Sequence, residues 1–186
     1  MKAWIRVAAL FVLALATGAL HEDGIADCAD GLAGGQTPQK RLSIMKDSRI
    51  GAYGAVALIL VLLARWSGVA ALIETGSLFW PMIAVGAVSR LPMIAAMTLM
   101  EHARNDGLSA SVGRPPAQSL GLALGITLII LLISLGIVGL SLVLWVGLAT
   151  LPLFLVAQRL IGGQTGDILG GSQQIGEVAA LATTVA

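Results

Sequence analysis

The sequence predicts an all-α, polytopic membrane protein with about six transmembrane helices. Of its residues, 57% are hydrophobic and only 11% are charged, whereas an ordinary soluble domain is about 25% charged. Several apolar runs are about as long as the ~20 residues that cross a bilayer. Residues 115–158 contain no ionisable side chain. As one helix they would be about 66 Å long, roughly twice the thickness of the ~30 Å hydrocarbon core, so this run is expected to cross twice.

The apolar runs divide a single membrane domain, residues 1–186, into six predicted spans. The predicted bounds of these spans are 3–20, 51–73, 78–100, 119–138, 140–160 and 168–186. The connection between the second and third spans is short, so we expect those two helices to be antiparallel neighbours. The reversal within the long apolar run is expected near residues 136–139, where two glycines occur.

Two interpretations compete for the first apolar run. Basic residues near its start and small residues near its end are typical of a signal peptide. The same run is also long enough to form a short membrane span. We favour the span, because cleavage would leave the acidic motif that follows as a frayed new terminus.

That acidic motif, HEDGIADCADG, covers residues 21–31. Asp23, Asp27 and Asp30 are spaced i, i+4 and i+7, which places three carboxylates on one face of a helix. Like charges repel at this spacing, and a bound cation would remove the penalty. Oxygen ligands alone suit a hard cation such as Mg²⁺. The alternative is a solvated acidic turn just outside a membrane span.

Basic residues supply the second group of candidates. Lys46 and Arg49, in the segment MKDSR, either bind phosphate or anchor the chain at the cytoplasmic surface. Arg65 is expected to snorkel towards an interface. Arg90 lies near the middle of its predicted span, where a charge is costly and usually faces a partner or an aqueous cavity. Pro92 is expected to open the helix beside it.

A glycine-rich segment, GGQTGDILGG, covers residues 162–171 and precedes the last span. Glycines around Gln164 would let backbone amides approach an anion, and a following helix start adds a positive dipole end. Glu177 lies ten residues after Asp167, close to three helical turns, so the two carboxylates are expected to share a face. A glutamate within a membrane span is a functional candidate.

Counting spans places the polar segments 21–49, 101–118 and 162–167 on one side of the membrane. That side carries seven basic residues: Lys40, Arg41, Lys46, Arg49, Arg104, Arg114 and Arg159. The positive-inside rule then predicts that all three segments face the cytoplasm. They are therefore expected to form one site at the membrane surface.

Four motifs in order carry a family resemblance: HEDGIADCADG at 21–31, MKDSRIGAYG at 45–54, SR at 89–90 and GGQTGD at 162–167. Together they resemble the cobalamin synthase family, the adenosylcobinamide-GDP ribazoletransferases, which are membrane enzymes of late cobalamin biosynthesis. The resemblance runs from about residue 17 to residue 182. Family members generally carry further membrane sequence before the first motif, so this chain is expected to lack the N-terminal part.

The resemblance implies a Mg²⁺-dependent transferase of the bacterial cytoplasmic (inner) membrane, with its active site facing the cytoplasm. A hydroxyl of α-ribazole, or of its 5′-phosphate, would attack the cobinamide-linked phosphate of adenosylcobinamide-GDP, and GMP would leave. The implied partners are these two substrates, the lipid bilayer, and either a second copy of the chain or other cobalamin-pathway enzymes. No basic run with interleaved aromatic residues points to nucleic acid.

The resemblance also implies roles for individual residues. Four carboxylates are the expected metal ligands: Asp23, Asp27, Asp30 and Asp167. The expected general base is Asp30, with His21 as the alternative because neutral imidazole titrates in the right range. Five residues are expected to bind the substrate phosphates: Lys46, Arg49, Arg90, Gln164 and Gly166.

Two readings from other classes compete with the enzyme. A small membrane transporter would use the carboxylates as a cation site and Arg90 and Glu177 as coupling charges. Such a site should lie near mid-membrane, whereas residues 23–30 follow a span and precede a loop. A non-catalytic fragment that helps to assemble a complex is the third reading. We favour the enzyme, because it accounts for the acidic and the glycine-rich motifs together.

Overall fold

The computed structural model describes residues 2–186, with side chains from Trp4 onward, and shows an all-α membrane bundle without strands in that part of the chain. This confirms the predicted fold class. The elements are α1 (Lys2–Ala16), α2 (Leu20–Gly34), α3 (Pro38–Ile44), α4 (Ala52–Glu74), α5 (Phe79–Val88), α6 (Leu91–Leu99), α7 (Leu108–Val112), α8 (Ala117–Leu135), a 3₁₀ helix (Gly136–Leu140), α9 (Ser141–Ile161) and α10 (Gly166–Val185).

Three stretches of the described chain are long and apolar enough to cross a membrane: Ala52–Glu74, Phe79–Leu99 and Ala117–Ile161. Helices α1 and α2 would supply a fourth only if they form one span, and they are bent by 85° relative to each other. The predicted number of about six spans is therefore not confirmed.

The long apolar stretch is a hairpin of α8 and α9. Its reversal is the 3₁₀ helix Gly136–Leu140, where Gly136 takes the left-handed φ of +65° that glycine adopts without strain. Leu120 and Leu151 line the same groove, although one straight helix would separate them by about 46 Å. The turn lies where the sequence predicted it.

Two predicted spans are interrupted. The first, 3–20, is helical only to Ala16, and Gly18 and Ala19 then take left-handed φ values of 61° and 57° that end the helix. The third, 78–100, divides into α5 and α6 at Ser89–Arg90, with Pro92 as the second residue of α6. The opening expected beside Pro92 is thus present, because proline has no N–H to continue the helical ladder.

Helix α10 lies at the centre of the bundle and contacts α2, α4, α5, α6 and α9. Glycines let it approach α2 closely: a Cβ placed on Gly24 would lie 3.0 Å from the Cα of Gly170. Small residues at a crossing allow two backbones to pack tightly in this way. The crossing brings the acidic motif on α2 next to the start of α10.

Candidate active site

A pocket of about 570 Å³ opens between α2, the loop after α3 and the first turn of α10. Five carboxylates line it, and three of them, Asp23, Asp27 and Asp167, are predicted metal ligands. Two cations, Lys46 and Arg49, line it as well. The acidic, basic and glycine-rich motifs each contribute to this lining. The structure therefore brings five of the residues predicted from the sequence together at one pocket.

The carboxylates converge because of local helix geometry. Asp23 and Asp27 lie one turn apart on α2, whose helix is continuous over Leu20–Gly34. Asp167 lies in the first turn of α10, which begins after Thr165, and the Thr165 hydroxyl accepts a hydrogen bond from the Ile168 N–H at 3.3 Å. The charges of Asp23, Asp167 and Asp30 all act on Asp27. A bound cation would relieve this repulsion.

Asp167 is held by a residue that the sequence analysis counted only as a topology signal. Arg104 Nη2 donates to Asp167 Oδ2 at 3.2 Å, and the Thr165 hydroxyl donates to the same oxygen at 3.1 Å. Burial raises the pKa of the Asp167 carboxyl, while Arg104 and Thr165 act in the opposite direction. The sequence analysis predicted that segments 101–118 and 162–167 lie on the same side of the membrane. That prediction could have identified Arg104 as a partner of Asp167.

Asp30 lies outside the lining of this pocket and caps another helix. Its carboxylate accepts from the backbone N–H of Gly51 at 2.7 Å and of Gly54 at 2.9 Å, at the start of α4. A Cβ on either glycine would overlap the carboxylate. The metal and base roles expected for Asp30 stay predictions. Both of its oxygens already accept hydrogen bonds from these backbone N–H groups.

His21 and Arg90 face a different cavity. This cavity, of about 40 Å³, lies on another side of α2, and both residues line it together with Arg65 and Glu177. Arg90 Nη1 donates to the Gly86 carbonyl at 2.5 Å. The structure thus brings His21 and Arg90 to one cavity, but not to the pocket lined by Asp23, Asp27 and Asp167.

Gln164 is fully buried and connects residues 101–109 to the start of α10. Its N–H donates to the Glu101 carbonyl at 2.8 Å, and its carbonyl accepts from the Ala103 N–H at 2.9 Å. Its side-chain oxygen accepts from the Ser109 hydroxyl at 2.7 Å. Gly166 is the first residue of α10. Gln164 and Gly166, two of the residues expected to bind phosphate, therefore shape the segment that positions Arg104 and Asp167.

Arg65 does not snorkel, contrary to the expectation, because two carboxylates satisfy it inside the bundle. The residue is only 2% exposed. Its Nη1 donates to Glu22 at 2.6 Å and its Nε donates to Glu177 at 2.8 Å. These bonds join α4 to α2 and α10, beside the acidic face. Charge alone did not reveal which partners Arg65 would find.

The donor set of the pocket fits Mg²⁺ in one specific mode. Within the described residues, no three side chains of His, Cys, Asp or Glu lie close enough to hold a metal ion together. Mg²⁺ commonly needs only one or two carboxylates, with water and substrate phosphate completing its shell. Asp23, Asp27 and Asp167 offer oxygen donors of the type that this mode requires.

Comparison with known proteins gives a consistent result. A family model described as cobalamin-5-phosphate synthase matches residues 2–185. The chain is 47% identical over 182 residues to an adenosylcobinamide-GDP ribazoletransferase of Bradyrhizobium diazoefficiens, covering 96% of this chain and 69% of that protein. It is 42% identical over 175 residues to the protein of the same name from Mesorhizobium japonicum, covering 93% and 67%. No solved structure matches the chain. The chain belongs to the cobalamin-5-phosphate synthase family.

Proposed function

We propose that the chain acts as an adenosylcobinamide-GDP ribazoletransferase in late cobalamin biosynthesis. Family membership and the names of the relatives support this activity. The observation that carries the proposal is the pocket that Asp23, Asp27 and Asp167 line together with Lys46 and Arg49. Phosphoryl transfer depends on positioned charges of this kind, which stabilise developing negative charge on phosphate oxygens.

In the proposed reaction, a hydroxyl oxygen of α-ribazole or its 5′-phosphate attacks the cobinamide-linked phosphorus of adenosylcobinamide-GDP. A new P–O bond forms, and the bond from that phosphorus to the GMP oxygen breaks. GMP leaves with the electron pair, and the hydroxyl proton passes to a base. The products are adenosylcobalamin, or its 5′-phosphate, and GMP.

The cationic and the acidic side chains of the pocket would have different roles in the reaction. Lys46 and Arg49 would bind phosphate oxygens, because both cations line the same pocket as the carboxylates. Asp27 would accept the hydroxyl proton, because it lines the pocket one turn from Asp23. Asp30 and His21 remain the alternative bases, and each lies outside the lining of this pocket.

Mg²⁺ is the proposed cofactor. When bound, it would stabilise negative charge on phosphate oxygens as a Lewis acid. Asp23 and Asp167 are the residues that would hold it, since Mg²⁺ prefers carboxylate oxygens and commonly needs only one or two carboxylates. Arg104 would keep Asp167 oriented through the 3.2 Å hydrogen bond.

We further propose that the protein resides in the bacterial cytoplasmic membrane with this pocket towards the cytoplasm. Support comes from the contacts that join the basic segments: Lys46 pairs with Asp106, and Gln164 is bonded to Glu101 and Ala103. Basic residues concentrated on one side of a membrane protein usually mark the cytoplasmic side.

The test is turnover by the purified chain in liposomes supplied with adenosylcobinamide-GDP, α-ribazole 5′-phosphate and Mg²⁺. We expect release of GMP together with a cobalamin phosphate product. A variant with Glu74→Gln, which removes an exposed carboxylate paired with Arg6, serves as the control and should retain full turnover. Mg²⁺ flux across the liposomes without any GMP release would instead favour the transporter.

A further inference from the structure

A second polar groove adjoins the pocket. It has a volume of about 490 Å³ and lies between α3 and residues 104–106. Lys46 lines both the pocket and this groove, and Arg104 lines the groove while bonding to Asp167 in the pocket. The two cavities are therefore neighbours: they share Lys46, and Arg104 links the groove to Asp167 of the pocket.

The Arg104 guanidinium has hydrogen-bond donors that no described residue accepts from. Its side chain is 15% exposed, and Nη2 is bound by Asp167. Its Nε and Nη1 atoms are buried and have no hydrogen-bond partner among the described residues. A buried donor without a partner costs stability. The planar guanidinium presents its N–H groups in a fork that matches the oxygens of phosphate.

Asp106 lies between the two cations of the groove. Its carboxylate pairs with the Lys46 ammonium, and it lies 3.6 Å from Arg104 Nε. The Asp106 side chain is 60% exposed, so it can turn into water with little desolvation cost. Ion pairs this exposed are weak. A phosphate, with more charge and more oxygens than one carboxylate, can replace it.

We propose that Lys46 and Arg104 form a phosphate-binding subsite, and that Asp106 is an internal counter-ion which a substrate phosphate displaces. The subsite rests on the proposed function for the identity of its ligand. Both substrates carry the required chemistry: adenosylcobinamide-GDP has a diphosphate, and α-ribazole 5′-phosphate has a phosphomonoester. Because Arg104 also holds Asp167, a phosphate bound here lies next to the carboxylate pocket.

The test uses inorganic pyrophosphate as the probe, titrated calorimetrically into the full chain in detergent without Mg²⁺. Asp106→Asn should bind pyrophosphate about 5-fold more tightly, because it removes the internal competitor from an exposed pair. Lys46→Gln should bind it about 5-fold more weakly by the same reasoning. A gain in affinity cannot result from misfolding, so Asp106→Asn is the decisive variant.

Two matched controls isolate the subsite. Glu101→Gln also removes an exposed carboxylate from an ion pair, with Arg114 at 2.8 Å, and should leave pyrophosphate affinity unchanged. Lys40→Gln removes an exposed cation of α3 that lines neither cavity and should also have no effect. If Asp106→Asn binds pyrophosphate no more tightly than Glu101→Gln does, the proposal is overturned.

Separate titrations identify which substrate supplies the phosphate. GDP and α-ribazole 5′-phosphate are titrated separately, and the one whose affinity rises in Asp106→Asn is the one that occupies the subsite. A rise for neither compound overturns the proposal. The binding experiment needs no turnover. If Asp106→Asn binds pyrophosphate more tightly but the chain releases no GMP, only the proposed function is refuted. If the chain releases GMP normally but Asp106→Asn leaves pyrophosphate affinity unchanged, only the subsite is refuted.

Discussion

The Asp30 carboxylate accepts a hydrogen bond of 2.9 Å from the backbone N–H of Gly54, 24 positions further along the chain. With the second bond, from Gly51, it caps the N-terminus of α4 from a neighbouring helix. Neither glycine can carry a Cβ without overlapping that carboxylate. The acidic motif and the MKDSRIGAYG segment are thus parts of one structural unit.

Removal of this cap should cost stability. Asp30→Ala leaves the N–H groups of Gly51 and Gly54, at the start of α4, without their acceptor, and we expect a loss of about 1–2 kcal/mol. The measurement is thermal unfolding in detergent, with Glu74→Ala as an exposed carboxylate control that should have a much smaller effect. If Asp30→Ala keeps the wild-type melting temperature but abolishes turnover, Asp30 acts in the chemistry, as the sequence suggested.

Two glycine substitutions, one at this contact and one in open space, should have opposite effects on stability. Gly54→Ala places a methyl group against the Asp30 carboxylate and should lower the melting temperature. Gly121→Ala, in α8, meets no heavy atom within 4 Å. It should therefore stabilise the helix by about 0.5–1 kcal/mol, because alanine has the higher helix propensity. Equal effects of the two substitutions would refute the close packing at Gly54.

The buried ion pairs of Arg65 should show strong non-additivity. Arg65→Met leaves Glu22 and Glu177 as buried carboxylates without their cation, and we expect a loss of about 3–5 kcal/mol. The triple variant Arg65→Met, Glu22→Gln, Glu177→Gln removes the charges together and should recover most of that loss. Unfolding of all variants in the same detergent measures the difference. A triple variant as unstable as the single one would show that packing, not charge, dominates.

Arg49 should control the ionisation of Asp47. Hydrogen bonds from the Arg49 side chain and backbone lower the pKa of Asp47 to about 2. Because this folded-state pKa is depressed, the pair contributes fully above the ordinary value of 3.8, and its contribution is lost as the pH falls towards 2. Arg49→Gln should move the pKa of Asp47 back towards 3.8, as measured by NMR of labelled carboxyl carbons. An unchanged pKa would exclude Arg49 as the cause.

The meeting of the polar segments could be predicted from the sequence, because the number of crossings decides which loops share a side. The Gln164 bonds to Glu101 and Ala103, and the Lys46–Asp106 pair, confirm that these loops converge. Helix periodicity also gave the common face of Asp23 and Asp27 correctly.

Other features depend on tertiary partners that one sequence does not reveal. Hydropathy reports the tendency to be buried and is insensitive to backbone φ, so the break at Gly18 and Ala19 was missed. Spacing placed Asp30 on the acidic face, but the approach of α4 decides what its oxygens bind. Arg65 was misjudged for the same reason, because its carboxylate partners lie 43 and 112 positions away.

The most direct test of the account is a Mg²⁺ titration of GMP release by the wild-type chain and by the double variant Asp23→Asn, Asp167→Asn. If the carboxylate pocket is the site of phosphoryl transfer, the double variant should be folded but slower by at least about 100-fold, since changes even in the outer shell of metal sites often cost 10–100-fold. Its residual rate should also lose the Mg²⁺ dependence of the wild type. Normal, Mg²⁺-dependent turnover by the double variant would contradict the assignment of this pocket.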